Sequence, residues 1–327
     1  MTRRPLVTVV TPTFNRATLL REAVDSVQQQ SYSAWEMLIW DDGSTDRTQE
    51  LFQTLDDPRV RYYRGANHGQ AFSRNQAMAR ARGEYFAFLD DDDKWLPHKL
   101  ARQVGILESR REVDILFANF ENLETASGQT VVSFERNSEV LNQMKTISLE
   151  ANVSLIVGGF LENFLRKNFI LPSATLMRKG VYNSIGPFNE ELRGTEDKEY
   201  WWRCAVRGAQ FAYDDDVLVK RRKGDDSFSS SGERARTEDI RALHYCRQDA
   251  EILGRKDLRP LVNRSLGAAW ENLIRLYVEQ DQKRKALHAF KHRCRYGISL
   301  RAMAFLFGSL CGPAFLRRAG SLRAAWR

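Results

Sequence analysis

Short apolar runs and amphipathic segments alternate along the first 120 residues of the chain. The apolar runs are rich in β-branched and aromatic residues, as in Leu6–Val10 and Trp35–Trp40, which is typical of buried strands. The segments between them repeat apolar residues every three or four positions, and residues 17–30 predict a helix with one apolar face. This alternation predicts an α/β fold with a mostly parallel central sheet flanked by helices.

The pattern becomes irregular after residue 125. Short strands are predicted near residues 129–134 and 217–222, and helices near residues 155–167 and 196–208. No internal repeat is visible in this part or elsewhere in the chain.

A Gly- and Ser-rich stretch at residues 224–233 predicts a domain boundary, because small polar residues are typical of linkers. From Glu233 onward the pattern is helical. We therefore expect an α/β domain over residues 1–228 and a helical, basic C-terminal region over residues 229–327.

The positive charge of the chain is concentrated at its end. The net charge is +8, yet residues 283–327 contain eleven Lys or Arg and no Asp or Glu, so the remainder carries about −3. A basic segment of this kind favours an anionic partner, such as a membrane surface, an acidic polymer or nucleic acid, although a solvated helix face is the alternative. Four scattered cysteines and the lack of an apolar window long enough to span a bilayer predict a cytoplasmic protein, with peripheral contact on the inner face of the cell membrane.

Polar clusters follow each of the first four predicted strands. In an open α/β sheet, ligands bind outside the carboxyl ends of the strands, so these clusters are expected to open on one edge. Their joint position predicts a binding site rather than four unrelated loops. The clusters are TPTFNR (11–16), DDGSTD (41–46), GANHGQAFSRN (65–75) and DDDD (90–93).

The four aspartates at residues 90–93 are the most unusual of these clusters, since adjacent carboxylates disfavour each other's ionisation. An EF-hand is excluded because its sixth and twelfth positions would be Trp95 and Ala101 instead of Gly and Glu. No Gly-rich phosphate loop follows any strand. Two interpretations remain: carboxylates that hold a hard divalent cation together with substrate phosphates, or an acidic loop without a metal.

Five motifs together resemble family 2 glycosyltransferases of the GT-A fold over about residues 5–222. The motifs, in chain order, are VVTPTFNR, DDGSTD, NHGQAFSRN, FLDDDDKWLP and GTEDKEYWWR. The resemblance implies an inverting, hexosyltransferase-type enzyme that moves a sugar from a nucleotide-sugar donor, UDP-sugar being favoured. The implied acceptor is a hydroxyl group of a glycan or lipid-linked molecule, in cell-surface polysaccharide synthesis. The implied cofactor is a divalent cation, Mn²⁺ or Mg²⁺.

The resemblance also assigns roles to residues of the donor site. Asp92, with Asp90, would bind the metal, and Asp93 would orient the loop above a packed Trp95. The residues that would contact the nucleotide sugar itself, through its base, ribose, diphosphate or sugar hydroxyls, include Asp90 again: Pro12, Thr13, Phe14, Asn15, Asp41, Asp42, Asn67, Gly69, Arg74, Asp90 and Asp91.

On the acceptor side, the resemblance makes Asp197 the catalytic base and Glu196 a neighbour that binds donor or acceptor. Thr195 is a predicted N-cap, and carboxylates in the first turn of a helix are stabilised by its dipole, so we expect Asp197 to be ionised. Trp201 is either a sugar platform or a core residue.

Two rival functions are weighed against this one. A basic protein that binds nucleic acid or membrane through an α/β scaffold is disfavoured, because the acidic body would repel phosphate, and no nucleic-acid partner is expected. A nucleotidyltransferase of the same fold would usually carry a Gly-rich basic loop after the first strand, which TPTFNR is not.

Overall fold

The structure is a computed structural model that describes residues 4–53, 55–124, 130–132, 141–223, 232–297, 300 and 302–303. Its strands are β1 Val7–Thr13, β2 Trp35–Asp41, β3 Val60–Arg64, β4 Tyr85–Phe88, β5 Lys94–Trp95, β6 Ile115–Glu124, β7 Thr130–Val132, β8 Lys145–Glu150, β9 Val153–Gly158, β10 Thr175–Arg178 and β11 Phe211–Lys223. Its α-helices are α1 Ala17–Gln28, α2 Thr48–Gln53, α3 Gln70–Ala79, α4 Lys99–Ser109, α5 Phe160–Arg166, α6 Lys179–Ile185, α7 Glu196–Val206, α8 Glu233–Ile252, α9 Arg259–Glu279 and α10 Lys283–Arg293.

Within the described ranges, the strands form one mixed sheet in the order β3-β2-β1-β4-β10-β6-β11-β9-β8. β5 pairs with β11, and β7 pairs with β6. The β3-β2-β1-β4 half is parallel throughout, as predicted from the alternation of strands and helices. In the other half, β6 and β11 are parallel, whereas β10 runs antiparallel to both of its neighbours.

The parallel half forms the centre of the α/β core. Every residue of β1 and β2 is buried, because helices cover both faces of a parallel sheet. The apolar face predicted for residues 17–30 forms as α1, which packs Leu20, Val24 and Val27 into the core. The strand ends that carry the polar clusters are therefore held by buried strands.

Three local predictions differ from the structure. The segment 155–167 was expected to be one helix, but β9 occupies its first part and α5 begins only at Phe160, after Gly159 in the left-handed region. The sequence predicts a helix over residues 71–83 that Gly83 ends, but α3 ends at Ala79, and the N–H of Gly83 donates to the hydroxyl of Thr8 at 2.9 Å. The short β10 was not predicted at all.

The chain divides into two compact units, residues 1–227 and 228–327. In the second unit, α9 packs against both α8 and α10, and the hydroxyl of Tyr277 donates to Glu233 at 2.9 Å. The predicted linker lies largely outside the described residues, as does most of the apolar and basic segment 298–327. Across the ranges that are described, none of the helices combines the length and apolar character that a membrane span requires.

Candidate active site

The carboxyl ends of β1, β2 and β4 lie side by side and bring the predicted polar loops together. Thr13 pairs with Asp41 across the β1–β2 ladder, and the N–H of Asp42 donates to the carbonyl of Thr13 at 2.9 Å. The hydroxyl of Thr13 donates to Asp91 Oδ2 at 2.8 Å. Residues from three of the four predicted loops thus meet at one edge of the sheet, as expected for an α/β ligand site.

The loop after β1 presents the exposed aromatic ring of Phe14, and Asn15 ties this loop to the next one by a hydrogen bond. Pro12 is buried within β1, whereas Phe14, which follows β1, is 44% exposed and can stack on a planar ligand. Asn15 has a φ of 54°, and its side-chain Oδ1 accepts the N–H of Thr45 at 2.7 Å. This bond joins the loop after β1 to the loop after β2.

The two aspartates at the end of β2, Asp41 and Asp42, are buried and hydrogen-bonded within the protein. Asp42 accepts the backbone N–H groups of His68 at 2.8 Å and Gly69 at 2.7 Å. Asp41 accepts the N–H of Ser44 at 2.7 Å and the hydroxyl of Tyr62. Asp42 therefore fixes the loop that follows β3, and a contact of either aspartate with the nucleotide base remains a prediction.

In the loop after β3, Gly69 has a φ of 93° and lies directly under the guanidinium of Arg193, where a Cβ atom would overlap it. Only glycine adopts this backbone conformation without strain, and it also permits the close approach. Asn67 is exposed. Asn67 is therefore open to a ligand. The structure also places the side chain of Arg193 against Gly69 of this loop.

Arg74 lies in α3 with only 2% of its side chain exposed, and it bridges two carboxylates. Its Nη1 donates to Glu196 Oε1 at 2.6 Å and its Nη2 donates to Asp90 Oδ1 at 2.7 Å. Burial alone would lower the pKa of Arg74, but the charges of Asp90 and Glu196 raise it overall. Arg74 thus connects the aspartate loop to α7, and its contact with the diphosphate stays a prediction.

The aspartate loop is neutralised in part by Arg16. The guanidinium Nη1 donates to Asp92 Oδ2 at 2.5 Å and to Asp91 Oδ1 at 3.1 Å. Burial raises the pKa of Asp91 to about 6, although Arg16 opposes the shift. Burial and the charge of Asp90 also raise the pKa of Asp92. Asp91 is buried, whereas Asp92 remains 22% exposed, so Asp92 is the more accessible carboxylate of the two.

Asp93 is buried and hydrogen-bonded within the protein. It accepts the N–H of Arg222 at 3.2 Å, and burial with the charge of Asp92 raises its pKa well above the usual value. Ser173, which precedes β10, accepts the N–H of Asp90 through its hydroxyl at 3.0 Å. The carbonyl of Ser173 accepts the indole N–H of the buried Trp95 at 2.8 Å. Trp95 is therefore packed as expected, and the loop-orienting role of Asp93 stays a prediction.

Asp197 lies in the first turn of α7, which begins after Thr195 as predicted. Burial and the like charge of Glu196 raise the pKa of Asp197 to about 6. These two effects outweigh the helix dipole, which was expected to stabilise the ionised carboxylate. Glu196 is 2% exposed and holds Arg74, which leaves Asp197 as the more accessible carboxylate. Trp201 is fully buried against Phe88, so it is a core residue and the platform alternative is wrong.

Comparison with known families adds an independent observation. Residues 8–161 match the family described as Glycosyl transferase family 2. Over these residues the chain is a family 2 glycosyltransferase domain. The matched residues include the loops after β1 to β4, whereas Asp197 lies beyond them.

Relatives of this glycosyltransferase domain occur in several bacteria. A glycosyltransferase of Rickettsia felis is 29% identical over 221 residues, which are 67% of this chain and 34% of that protein. TuaG of Bacillus subtilis, named for teichuronic acid biosynthesis, is 44% identical over 110 residues, 33% of this chain and 44% of TuaG. WcaA of Escherichia coli, named for colanic acid biosynthesis, is 43% identical over 104 residues, 31% of this chain and 37% of WcaA. This chain therefore covers less than half the length of each of these relatives.

Two solved structures share the fold of the glycosyltransferase domain. S. aureus TarS 1–349 in complex with UDP-GlcNAc has a TM-score of 0.57 at 17% identity, over 89% of this chain and 88% of that one. The mannosyltransferase PcManGT of Pyrobaculum calidifontis, in complex with GDP-Man and Mn²⁺, has a TM-score of 0.56 at 19% identity, over 99% of this chain and 83% of that one. These likenesses confirm the predicted GT-A fold.

The carboxylate oxygens in the aspartate loop of the glycosyltransferase domain are suitable ligands for a hard divalent cation. Asp90 and Asp92 are partly exposed carboxylates whose mutual repulsion a cation would relieve, and oxygen ligands suit Mg²⁺ and Mn²⁺. Among the described side chains, no group of three or more His, Cys, Asp or Glu could hold a metal ion. A cation here would thus take few protein ligands and complete its shell with water and phosphate oxygens.

Four residues that contribute to the site have no role in the predictions from sequence: Arg16, Ser173, Asn168 and Arg193. Arg16 lies within the motif VVTPTFNR, and the need for a cation near four aspartates was a signal that could have identified it. Asn168, whose Nδ2 donates to Asp197 Oδ2 at 3.1 Å, lies in an irregular segment without a pattern. Ser173 likewise had no signal, because the adjoining β10 was not predicted.

Proposed function

We propose that the chain is an inverting, hexosyltransferase-type glycosyltransferase that moves a sugar from a nucleotide-sugar donor to a hydroxyl group of a glycan or lipid-linked acceptor. The observation that carries this proposal is the buried bridge of Arg74, which ties Asp90 on the proposed donor side to Glu196 beside Asp197 on the proposed acceptor side. One guanidinium thereby fixes the proposed base relative to the strand ends where the donor would bind. Proximity and orientation of this kind are a large part of catalysis.

Asp197 would take the proton of the acceptor hydroxyl while the oxygen attacks the anomeric carbon and the bond to the nucleoside diphosphate breaks. Attack from the face opposite the leaving group inverts the configuration of that carbon. With a pKa of about 6, Asp197 is mostly ionised at pH 7 and still basic enough to accept a proton. We therefore expect the rate to rise as the pH increases through about 6.

Asp92 and Asp90 would hold the divalent cation, which when bound supplies positive charge to the departing diphosphate. Asp91 remains a candidate for the donor hydroxyls, although Thr13 and Arg16 already contact it. The open ring of Phe14 would stack on the base.

The donor is proposed as a UDP-sugar, with a GDP-sugar as the second choice. TarS is in complex with UDP-GlcNAc, and PcManGT is in complex with GDP-Man and Mn²⁺, which supports a nucleoside diphosphate sugar as donor without deciding the base. The names of TuaG and WcaA support a role in the synthesis of a cell-surface polysaccharide.

We further propose that the protein works in the cytoplasm, with peripheral contact at the inner membrane face through residues 283–327. The described part of this segment, α10, carries Lys and Arg without acidic residues. Co-sedimentation with anionic and neutral vesicles would test this contact. Equal binding to both kinds of vesicle, or binding to neither, would contradict it.

A thermal-shift screen of nucleotide sugars with and without Mn²⁺ would test the proposed function, because a ligand that binds the folded state raises the melting temperature. The donor identified in this way would then be used in transfer assays with wild type, Asp92→Ala and Asp197→Ala. Both variants should lose most of their turnover. Near-normal turnover of either variant would show that its assigned role is wrong.

A further inference from the structure

Asn168 lies beside the proposed base, just after α5. Its Nδ2 donates to Asp197 Oδ2 at 3.1 Å. We propose that Asn168 is a positioning residue that fixes the Asp197 carboxylate for the acceptor hydroxyl. This inference rests on the proposed function, because it concerns the same base.

The side-chain amide of Asn168 is held in one orientation by the backbone N–H of Ile170, two residues further along the chain. Its Oδ1 accepts the N–H of Ile170 at 3.0 Å, so the Nδ2 side of the amide faces Asp197. Phe169 and Ile170 anchor this turn, since both are buried and Phe169 packs against Phe117. The donor is thus presented by a fixed turn although Asn168 itself is exposed.

The groups that face Asp197 explain why a neutral donor matters there. Burial and the charge of Glu196 raise the pKa of Asp197, and this shift is opposed by Arg74, by the backbone N–H of Lys198 and by Asn168. Glu196 and Asp90 already bind the guanidinium of Arg74. Asn168 therefore supplies a side-chain hydrogen bond directed at Asp197 itself.

The hydrogen bond from Asn168 restricts the Asp197 carboxylate. Asn168 engages Oδ2, which limits rotation of the carboxylate and holds it in one orientation toward an acceptor hydroxyl. A hydrogen bond to the charged form also keeps the carboxylate ionised. Loss of the donor should therefore reduce kcat and move the acidic limb of the rate profile to higher pH.

Two substitutions at Asn168 separate positioning from structure. Asn168→Asp keeps the size and the Oδ1 acceptor for Ile170, but it replaces the donor with a negative charge. Asn168→Ala removes both contacts. The matched control is Asn189→Ala, because Asn189 accepts the N–H of Glu191 at 3.0 Å in the same kind of turn.

The test measures two quantities for each variant: the pH dependence of kcat and KM, and the apparent pKa of Asp197 from ¹³C carboxyl NMR of the free protein. We expect kcat to fall about tenfold in Asn168→Ala and further in Asn168→Asp, with the KM for donor little changed. The apparent pKa of Asp197 and the acidic limb should rise together, most strongly in Asn168→Asp. Asn189→Ala should leave both unchanged.

A pKa and an acidic limb that stay at their wild-type positions in Asn168→Asp would overturn the inference, even if the melting temperature fell. The NMR titration also separates this inference from the proposed function. If wild type transferred no sugar from any donor but the pKa of Asp197 rose in Asn168→Ala, which adds no charge, the proposed function would fail while the hold of Asn168 on Asp197 would be supported.

Discussion

Replacing Arg74 by Met removes the cation that Asp90 and Glu196 share. The guanidinium and Glu196 are both 2% exposed, so the variant leaves a buried carboxylate without its partner. Breaking a buried ion pair by deleting one partner costs about 3–5 kcal/mol. We expect the lower end, about 3 kcal/mol, because Asp90 is 20% exposed and water can solvate it.

The free energy of unfolding from urea titrations at pH 7.5 would measure this loss in the full chain. For a domain of this size, about 3 kcal/mol corresponds to a fall of about 6–12 °C in melting temperature. The matched control is Arg21→Met, which breaks an exposed pair with Asp25 at 2.9 Å and should cost less than about 0.5 kcal/mol. The double variant Arg74→Met/Glu196→Gln should recover at least about 1 kcal/mol, because it neutralises the orphaned carboxylate.

A loss below about 1 kcal/mol in Arg74→Met, or one equal to that of Arg21→Met, would refute this reasoning. It would mean that Glu196 and Asp90 are solvated or protonated without cost when the guanidinium is absent.

Three further changes test other parts of the account. Gly69→Ala should lower the free energy of unfolding by about 1–3 kcal/mol, measured by urea titration, because alanine is strained at a φ of 93°; an unchanged stability would contradict this. Lys99→Met should stabilise the protein, because the fully buried ammonium has a pKa lowered well below its usual value and the unfolded chain binds its proton more readily. The stability advantage over wild type in urea titrations should therefore grow as the pH falls from 10 to 7, and a constant difference would count against it. Arg16→Gln should tighten Mn²⁺ binding severalfold in calorimetry, because Arg16 pairs with Asp92, and unchanged or weaker binding would show that the two do not compete.

The sequence located the aspartate loop but could not predict how its charges are balanced. Residues 90–93 follow an apolar run, so their place at a strand end was predictable from periodicity. Arg16 and Arg74 reach these carboxylates only after β1, α3 and β4 pack together. Partners brought together by tertiary packing have no local signature in the chain.

The same limit explains the errors in the second half of the sheet. β10 is a short run that becomes a strand because it fits between β4 and β6, and its own residues give little periodicity. In α7, helical spacing placed Asp197 and Trp201 on one face but could not say which was covered by the fold. The pKa of Asp197 likewise depends on burial and on Glu196, and the helix dipole was the only contribution that the sequence made visible.

The most direct test of the account is calorimetric titration of UDP in the presence of Mn²⁺ into wild type, Asp92→Asn and Asp197→Asn. If Asp92 holds the cation of the donor site and Asp197 serves only the acceptor, Asp92→Asn should lose most of the UDP affinity while Asp197→Asn should bind like wild type. Equal UDP binding by all three proteins, or binding that does not depend on Mn²⁺, would contradict the proposed donor site.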